Sequence, residues 1–191
     1  MKVIAFNGSA RKDGNTAILI KQALSELERE GIQTELVQLA GTQIQGCIAC
    51  SECFETLDQR CVISDDMVNE YIAKMLQADG IILGSPTYFA DVAPALKALI
   101  DRVGMVARAN GDMFRRKVGA AVVAVRRAGA IHVFDSISHF FLISQMIIPG
   151  SSYWNIGIGH AVGEVESDVE GMATMATLGK NMAWLLKKLH E

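Results

Sequence analysis

The chain has 191 residues, a formal net charge of −3, half of its residues hydrophobic and a fifth charged, which sets the expectation of one α/β domain over residues 1–191 with a full core. That charge offers no electrostatic case for nucleic acid or an anionic membrane, and the longest apolar run, around Phe140 to Pro149, is too short and too broken to span a bilayer. The sequence opens straight into a strand pattern with no secretory leader, so a cytoplasmic protein is expected, and its four cysteines are then metal ligands or redox thiols sooner than disulfides.

Lys2–Phe6 reads as a short buried strand, followed by the polar loop Asn7-Gly-Ser-Ala-Arg-Lys-Asp-Gly-Asn-Thr16 and an amphipathic helical pattern over Ala17–Glu30. A strand, a small loop with two cations and a helix start together suit a phosphate monoester. First-turn amides and the helix dipole attract an anion. Gly8 and Gly14 let the backbone wrap closely. Ser9, Asn15 and Thr16 offer short hydrogen-bonding groups, and Arg11 and Lys12 offer charge. The spacing is neither a Walker A loop nor the three-glycine dinucleotide fingerprint. Without a ligand, the same turn is a βα connection with Asn15 capping the helix.

Thr34–Gln38 is the second strand. Between Ala40 and Ser64 periodicity nearly vanishes, and a loop of that length in a compact domain is usually functional. All the cysteines lie there, as Cys47-Ile-Ala-Cys50-Ser-Glu-Cys53 and Cys61. Two C-x-x-C steps sharing a cysteine resemble the runs that hold cubane iron–sulfur clusters. Three closely spaced thiolates can each reach a different iron, and a fourth closes the far side. Zinc prefers two separated pairs and fits less well. A redox thiol pair or a metal-free loop are the other readings. Cys61 lacks the proline that follows in bacterial ferredoxins, and Arg60 before it is cationic.

Asp65–Ala78 carries Met67, Tyr71, Met75 and Leu76 at helical spacing, and Gly80–Ser85 is a buried strand. Pro86 then turns the chain outward. Thr87, Tyr88 and Phe89 follow at the carboxyl edge of the sheet, where they either line a flat heterocycle or roof the core. Pro94–Ala107 is helical. Val118–Val125 is the clearest strand, and it ends in the cationic turn Arg126-Arg-Ala-Gly129. His132–Met146 is a helix, Ile147–Pro149 and Tyr153–Ile158 share a fifth strand region, and Glu166–Lys188 is the terminal helix with a basic end suited to its dipole. Tyr153-Trp154-Asn155 reads as a buried strand edge or as the cover of a neighbouring subunit's ligand. His132, His139, His160 and His190 have no ligand spacing, the methionines read as filler, and no hydrolase elbow or nicotinamide fingerprint is present. Five strands alternating with five helices imply a doubly wound parallel sheet. Its ligands sit at the carboxyl ends of the strands, here the loops after strands one, three and four.

The loop GSARKDGNT, the turn SPTYFADV, the stretch KALIDR (Lys97–Arg102) and the Cys47/Cys50/Cys53/Cys61 spacing together resemble the NADPH-dependent FMN reductase family, and within it the iron–sulfur flavoprotein branch. The resemblance covers most of the chain and implies a flavodoxin-like five-stranded parallel sheet, helices on both faces, binding FMN. It implies a phosphate held by Ser9, Arg11, Asn15 and Thr16, with Lys12 nearby. The isoalloxazine would rest against Pro86, Thr87, Tyr88 and Phe89, and the Arg126–Gly129 turn would close its other side. It further implies a [4Fe-4S] cluster on the four cysteines, a homodimer or homotetramer, and an oxidoreductase in which the flavin carries the chemistry and no catalytic side chain is required. NAD(P)H would feed a small-molecule electron acceptor such as a quinone or free flavin. The alternative is an electron-transfer protein fed by ferredoxin. A third reading is a sensor whose cysteines bind zinc or form redox disulfides.

Overall fold

The computed structural model describes residues 1–191. Five parallel strands form one sheet in the order β2-β1-β3-β4-β5. They are β1 (Lys2–Asn7), β2 (Gln33–Gln38), β3 (Gly80–Pro86), β4 (Val118–Val125) and β5 (Ile156–Ile158). The helices are α1 (Asn15–Arg29), α2 (Glu52–Thr56), α3 (Val68–Gln77), α4 (Pro94–Ala109), α5 (Ala130–Ile143) and α6 (Val169–Leu189). None of them is long and apolar enough to cross a membrane.

The central strands are buried on both faces, as their unbroken apolar runs require. Ile4, Phe6, Ile81, Leu83, Ala121 and Val123 face the core under α3, α4 and α5. Val3, Ala5, Ile82, Ala120 and Val122 face the core under α1 and α6. Each neighbouring pair along a strand thus feeds two different cores. Strand order reverses direction of growth between β1 and β3, so the crevice above those two carboxyl ends is the topological switch point.

Five differences from the expected elements have physical causes. Helix α1 starts two residues early, at Asn15, because Gly14 is the extended N-cap and no side chain caps the turn. Helix α3 begins at Val68 instead of Asp65, since Asp66 stays outside to accept from the Val68 amide (3.1 Å) and to pair with Arg102. The fifth strand keeps only Ile156–Ile158, while Ile147 makes a lone bridge to Val118. Tyr153 and Trp154 are exposed and stacked edge-on with centroids 4.9 Å apart, so only Asn155 of that trio is buried. Helix α6 is preceded by a 3-10 turn over Glu164–Ser167 and capped by Asp168, whose carboxylate accepts from Gly171.

Candidate functional site

The first polar loop is built before any ligand is considered. Asn7, fully buried at the end of β1, accepts from the Ser9 amide (3.1 Å) and donates to Gln38 Oε1 (2.6 Å) and the Lys12 carbonyl (3.3 Å). Gln38, at the end of β2, donates in turn to the Ser9 carbonyl (2.8 Å). Ser9 Oγ accepts from the Arg11 amide (3.1 Å). Gly8 sits where a Cβ would come within 2.8 Å of Leu96 and 3.0 Å of the Gly84 carbonyl, so only glycine lets this loop lie on β3. The first-turn amides of α1 have no partner within the chain, which leaves them free to meet an anion.

Above these amides lies a cleft of about 250 Å³. Ser9, Arg11, Asn15 and Thr16 line one side, and Pro86, Thr87 and Tyr88 line another. Arg126 comes from the end of β4, and Gly159 and His160 from the end of β5. Thr87 Oγ1 is buried there without a hydrogen-bond partner, although its amide is tied to the Ala124 carbonyl at 2.8 Å. A buried hydroxyl left unpaired costs about 1–3 kcal/mol, so it marks a place where a polar ligand atom belongs. Arg11, Arg126 and His160 make the rim cationic or protonatable, and the donor set fits a phosphorylated, hydrogen-bonding ligand such as FMN.

The structure brings together most of the residues singled out from sequence. Three stand apart from the cleft. Phe89 projects wholly into solvent beside Ala90, whose φ of 81° turns the loop away. Lys12 has an exposed side chain and meets the loop only through its carbonyl. Gly129 is the N-cap of α5 at φ 86°, and a Cβ there would lie 3.4 Å from the Thr87 methyl, so it sets the spacing of two loops and does not line the cleft. Asn15 lines it but neither caps α1 nor points freely inward. Its amide donates to the Ala161 carbonyl (2.9 Å) and accepts from the Gly163 amide (2.9 Å), tying the loop after β5 to α1. That loop is closed further by Glu164, whose carboxylate accepts from the His160 and Ala161 amides and lies below its usual pKa range for that reason. Sequence reasoning passed over Gly159 and His160. The signal was available, because the carboxyl-end rule applies to the strand at Tyr153–Ile158 as to the others.

The cysteine loop forms a second feature. Cys47, Cys50, Cys53 and Cys61 are all unpaired thiols, and all line one small cavity against α4, with Ile63, Arg102 and Val106. Ala49 (φ 54°) and Ser51 (φ 63°) flank Cys50 in the left-handed region, so the chain turns sharply on either side of it. Asn69 accepts from the Cys61 amide (2.8 Å) and donates to its carbonyl (2.9 Å). Burial, then the neighbouring thiols, push the Cys53 thiol above its usual range against the effect of a backbone hydrogen bond. No three His, Cys, Asp or Glu side chains converge tightly enough to hold a single ion. The shared cavity and the all-thiol donor set fit a cubane cluster, which distributes its thiolates over separate irons.

A further concavity, about 1040 Å³, is neither of these. It is an apolar groove between α4 and α5, bounded by Ile100, Met105, Phe140, Leu142 and Ile143 and reaching Cys47 at one end. Its sparse polar lining gives it the character of a protein-binding surface.

A strand order of 2-1-3-4-5 with a polar cleft over β1 and β3 defines a flavodoxin-like fold with its ligand crevice at the switch point. Residues 1–161 match the family described as NADPH-dependent FMN reductase, and the chain belongs to that family. It is 42% identical to an iron–sulfur flavoprotein of Methanocaldococcus jannaschii, over the whole of both chains. It is 33% identical to an iron–sulfur flavoprotein of Methanosarcina thermophila, covering 100% of this chain and 98% of that one. Among solved structures it resembles RosB, crystallised with 8-demethyl-8-formylriboflavin-5'-phosphate, with a TM-score of 0.79 at 19% identity over 100% of this chain and 80% of that one.

Proposed function

We propose that the protein is an FMN-dependent oxidoreductase carrying a [4Fe-4S] cluster, which couples oxidation of NAD(P)H to reduction of a small-molecule acceptor. The observation that carries the flavin half is the unpaired Thr87 Oγ1 in a cleft whose opposite end offers free α1 amides and Arg11. Ser9, Arg11, Asn15 and Thr16 would hold the phosphate, and Pro86, Thr87, Tyr88 and Arg126 would flank the ring, with His160 closing the cleft. When bound, FMN accepts a hydride and releases electrons singly or in pairs, and a cubane cluster passes one electron at a time. The cleft, about 250 Å³, is small for a ligand of this size, so a bound ring would keep an edge within reach of an incoming donor. Arg126 at that edge favours added negative charge on the ring. The four free cysteines support a reducing, cytoplasmic setting.

The cysteine cavity favours a second reading, in which ferredoxin supplies the electrons through a cluster on Cys47, Cys50, Cys53 and Cys61. Anaerobic stopped-flow reduction separates the two. Rapid bleaching of the flavin by NADPH or NADH, with none needed from ferredoxin, supports the reductase. Reduction by ferredoxin alone replaces it with the electron-transfer reading. Protein purified anaerobically that takes up neither FMN nor iron and acid-labile sulfide overturns both.

The apolar groove supports a homo-oligomer, with a second copy of this chain as its occupant. Lys97, Asp101, Gly104, Met105 and Arg108 form one stripe of α4, continued by Asp112 just past its end. Antiparallel packing about a two-fold axis at Gly104 and Met105 sets Asp101 of each copy against Arg108 of the other, and Lys97 against Asp112. The stripe is therefore complementary to itself, as a two-fold interface requires.

A further inference from the structure

One side chain holds the cysteine loop onto α4. Arg102 is 1% exposed, and its guanidinium donates in four directions. Nε meets Cys61 Sγ at 3.3 Å, Nη2 meets the Ile63 carbonyl at 2.7 Å, and Nη1 meets both the Gln45 carbonyl at 3.3 Å and the Asp66 carboxylate. Asp66 also accepts from the Gln45 and Val68 amides. A buried ion pair is weak grounds for stability, because apolar residues of similar volume often serve as well or better. Stability alone therefore gives no reason for a full charge aimed at a cysteine sulfur.

We propose that Arg102 is a positioning residue that sets the reduction potential of the cluster on Cys47, Cys50, Cys53 and Cys61. It does so by donating Nε–H to Cys61 Sγ and fixing a positive charge beside the thiol cage, with Asp66 as the moderating counter-charge. The inference rests on the cluster reading above. One-electron reduction adds one negative charge to the iron–sulfur core and its thiolates. An N–H donor to a ligating sulfur and a nearby cation both favour that more negative state, so both raise the potential. Asp66 opposes the shift and keeps the guanidinium aimed.

The test compares wild type with Arg102→Gln, Arg102→Lys and Asp66→Asn, each reconstituted anaerobically with iron and sulfide and titrated with dithionite against redox mediators while the cluster is followed by electron paramagnetic resonance. At a fixed potential, Arg102→Gln lowers the reduced-to-oxidised ratio at least tenfold, a midpoint about 59 mV lower for a one-electron couple. Arg102→Lys, which keeps the charge and loses the planar donor, falls between. Asp66→Asn moves the ratio the other way, and in the loaded protein the thiolates remain as partners for Arg102. Should Arg102→Gln fail to take up iron, the direction of the Asp66→Asn and Arg102→Lys shifts decides. Midpoints that stay together, or shifts of one sign in all variants, overturn the proposal. So does loss of iron from every variant with FMN binding intact, which makes Arg102 a scaffold residue alone. Wild type that takes up no iron overturns the cluster reading instead.

Discussion

Two side chains show how a single hydrogen-bond inventory becomes a measurement. Thr87 Oγ1 is buried and unpaired in the free protein, so replacing the hydroxyl by a methyl removes a penalty there and a partner in the complex. Thr87→Val is expected to stabilise the ligand-free protein by about 1 kcal/mol and to weaken FMN binding about tenfold, because a buried hydroxyl is costly only while unsatisfied. Urea denaturation with and without FMN reads both signs at once, and a variant that binds FMN as tightly as wild type removes Thr87 from the site. Glu35 is the opposite case, a group already satisfied. Hydrogen bonds from Lys2 (2.6 Å) and Lys74 (2.8 Å) hold its carboxyl below the usual range, against the effect of burial. A carboxylate whose folded pKa is depressed stabilises the fold above the ordinary carboxylate pKa, and that gain disappears as pH falls through the lowered value. The triad is partly exposed, so its worth is at most about 1 kcal/mol. Glu35→Gln should cost that much at pH 7 and progressively less as pH falls through the lowered value, as measured by denaturation across that range.

At the scale of elements, the site depends on how the loop after β5 is tied to α1. Asn15 makes both ties, donating to Ala161 and accepting from the Gly163 amide. Asn15→Ala removes two hydrogen bonds at a net cost of about 1–2 kcal/mol. It should also speed hydrogen exchange at the Gly163 amide and weaken FMN binding, since Gly159 and His160 lose their anchor. Asn15→Asp keeps the acceptor and loses the donor, so it should restore protection at Gly163 while leaving Ala161 free. Equal exchange rates at Gly163 in all three proteins would show that the loop holds itself. The same contrast explains what the sequence disclosed. Strands β1, β3 and β4 were legible because strands buried on both faces are continuous apolar runs. The polar loop was legible because its function needs small and cationic residues at a strand-to-helix junction. Strand β5 was legible only as a region, Tyr153–Ile158, because its three residues are placed by Asn155, which donates to the Ala121 carbonyl (3.0 Å) and whose own carbonyl accepts from Val123 (2.9 Å). Helix α2 spans five residues between two left-handed ones, too short for any periodicity to register. Arg102 reads in sequence as one more charge on an amphipathic helix. Its burial comes from the cysteine loop folding over α4, a long-range event that local pattern does not encode.

For the whole molecule, the decisive feature is the surface that the two cores leave uncovered. Leu142 is 60% and Ile143 75% exposed at the edge of the α4–α5 groove, with Met105 beside them. Apolar side chains clustered this way suit an interaction surface, and the charges around them are what the proposed second copy would have to match. Within one chain, Lys97 already pairs with Asp101 at 2.6 Å and Arg108 with Asp112 at 2.8 Å, all of them at the surface. The order plus, minus, plus, minus along α4 is symmetric under reversal with a change of sign, so an antiparallel copy matches it everywhere. Reversing one charge breaks the match twice, because a two-fold axis repeats each contact. Asp101→Arg should set two arginines against each other at both positions, and Arg108→Asp should do the same with two carboxylates. Like charges across an interface cost enough to weaken the dimer at least tenfold. The double variant Asp101→Arg with Arg108→Asp restores opposite charges across the axis and should return the association to near wild type, although both substituted residues have reversed charge. Sedimentation velocity at low and high salt measures this directly, with both single variants becoming less salt-sensitive toward dissociation than wild type as screening removes the repulsion. If the single variants associate as wild type does, or the double variant fails to recover, the second copy does not sit on α4 in this orientation.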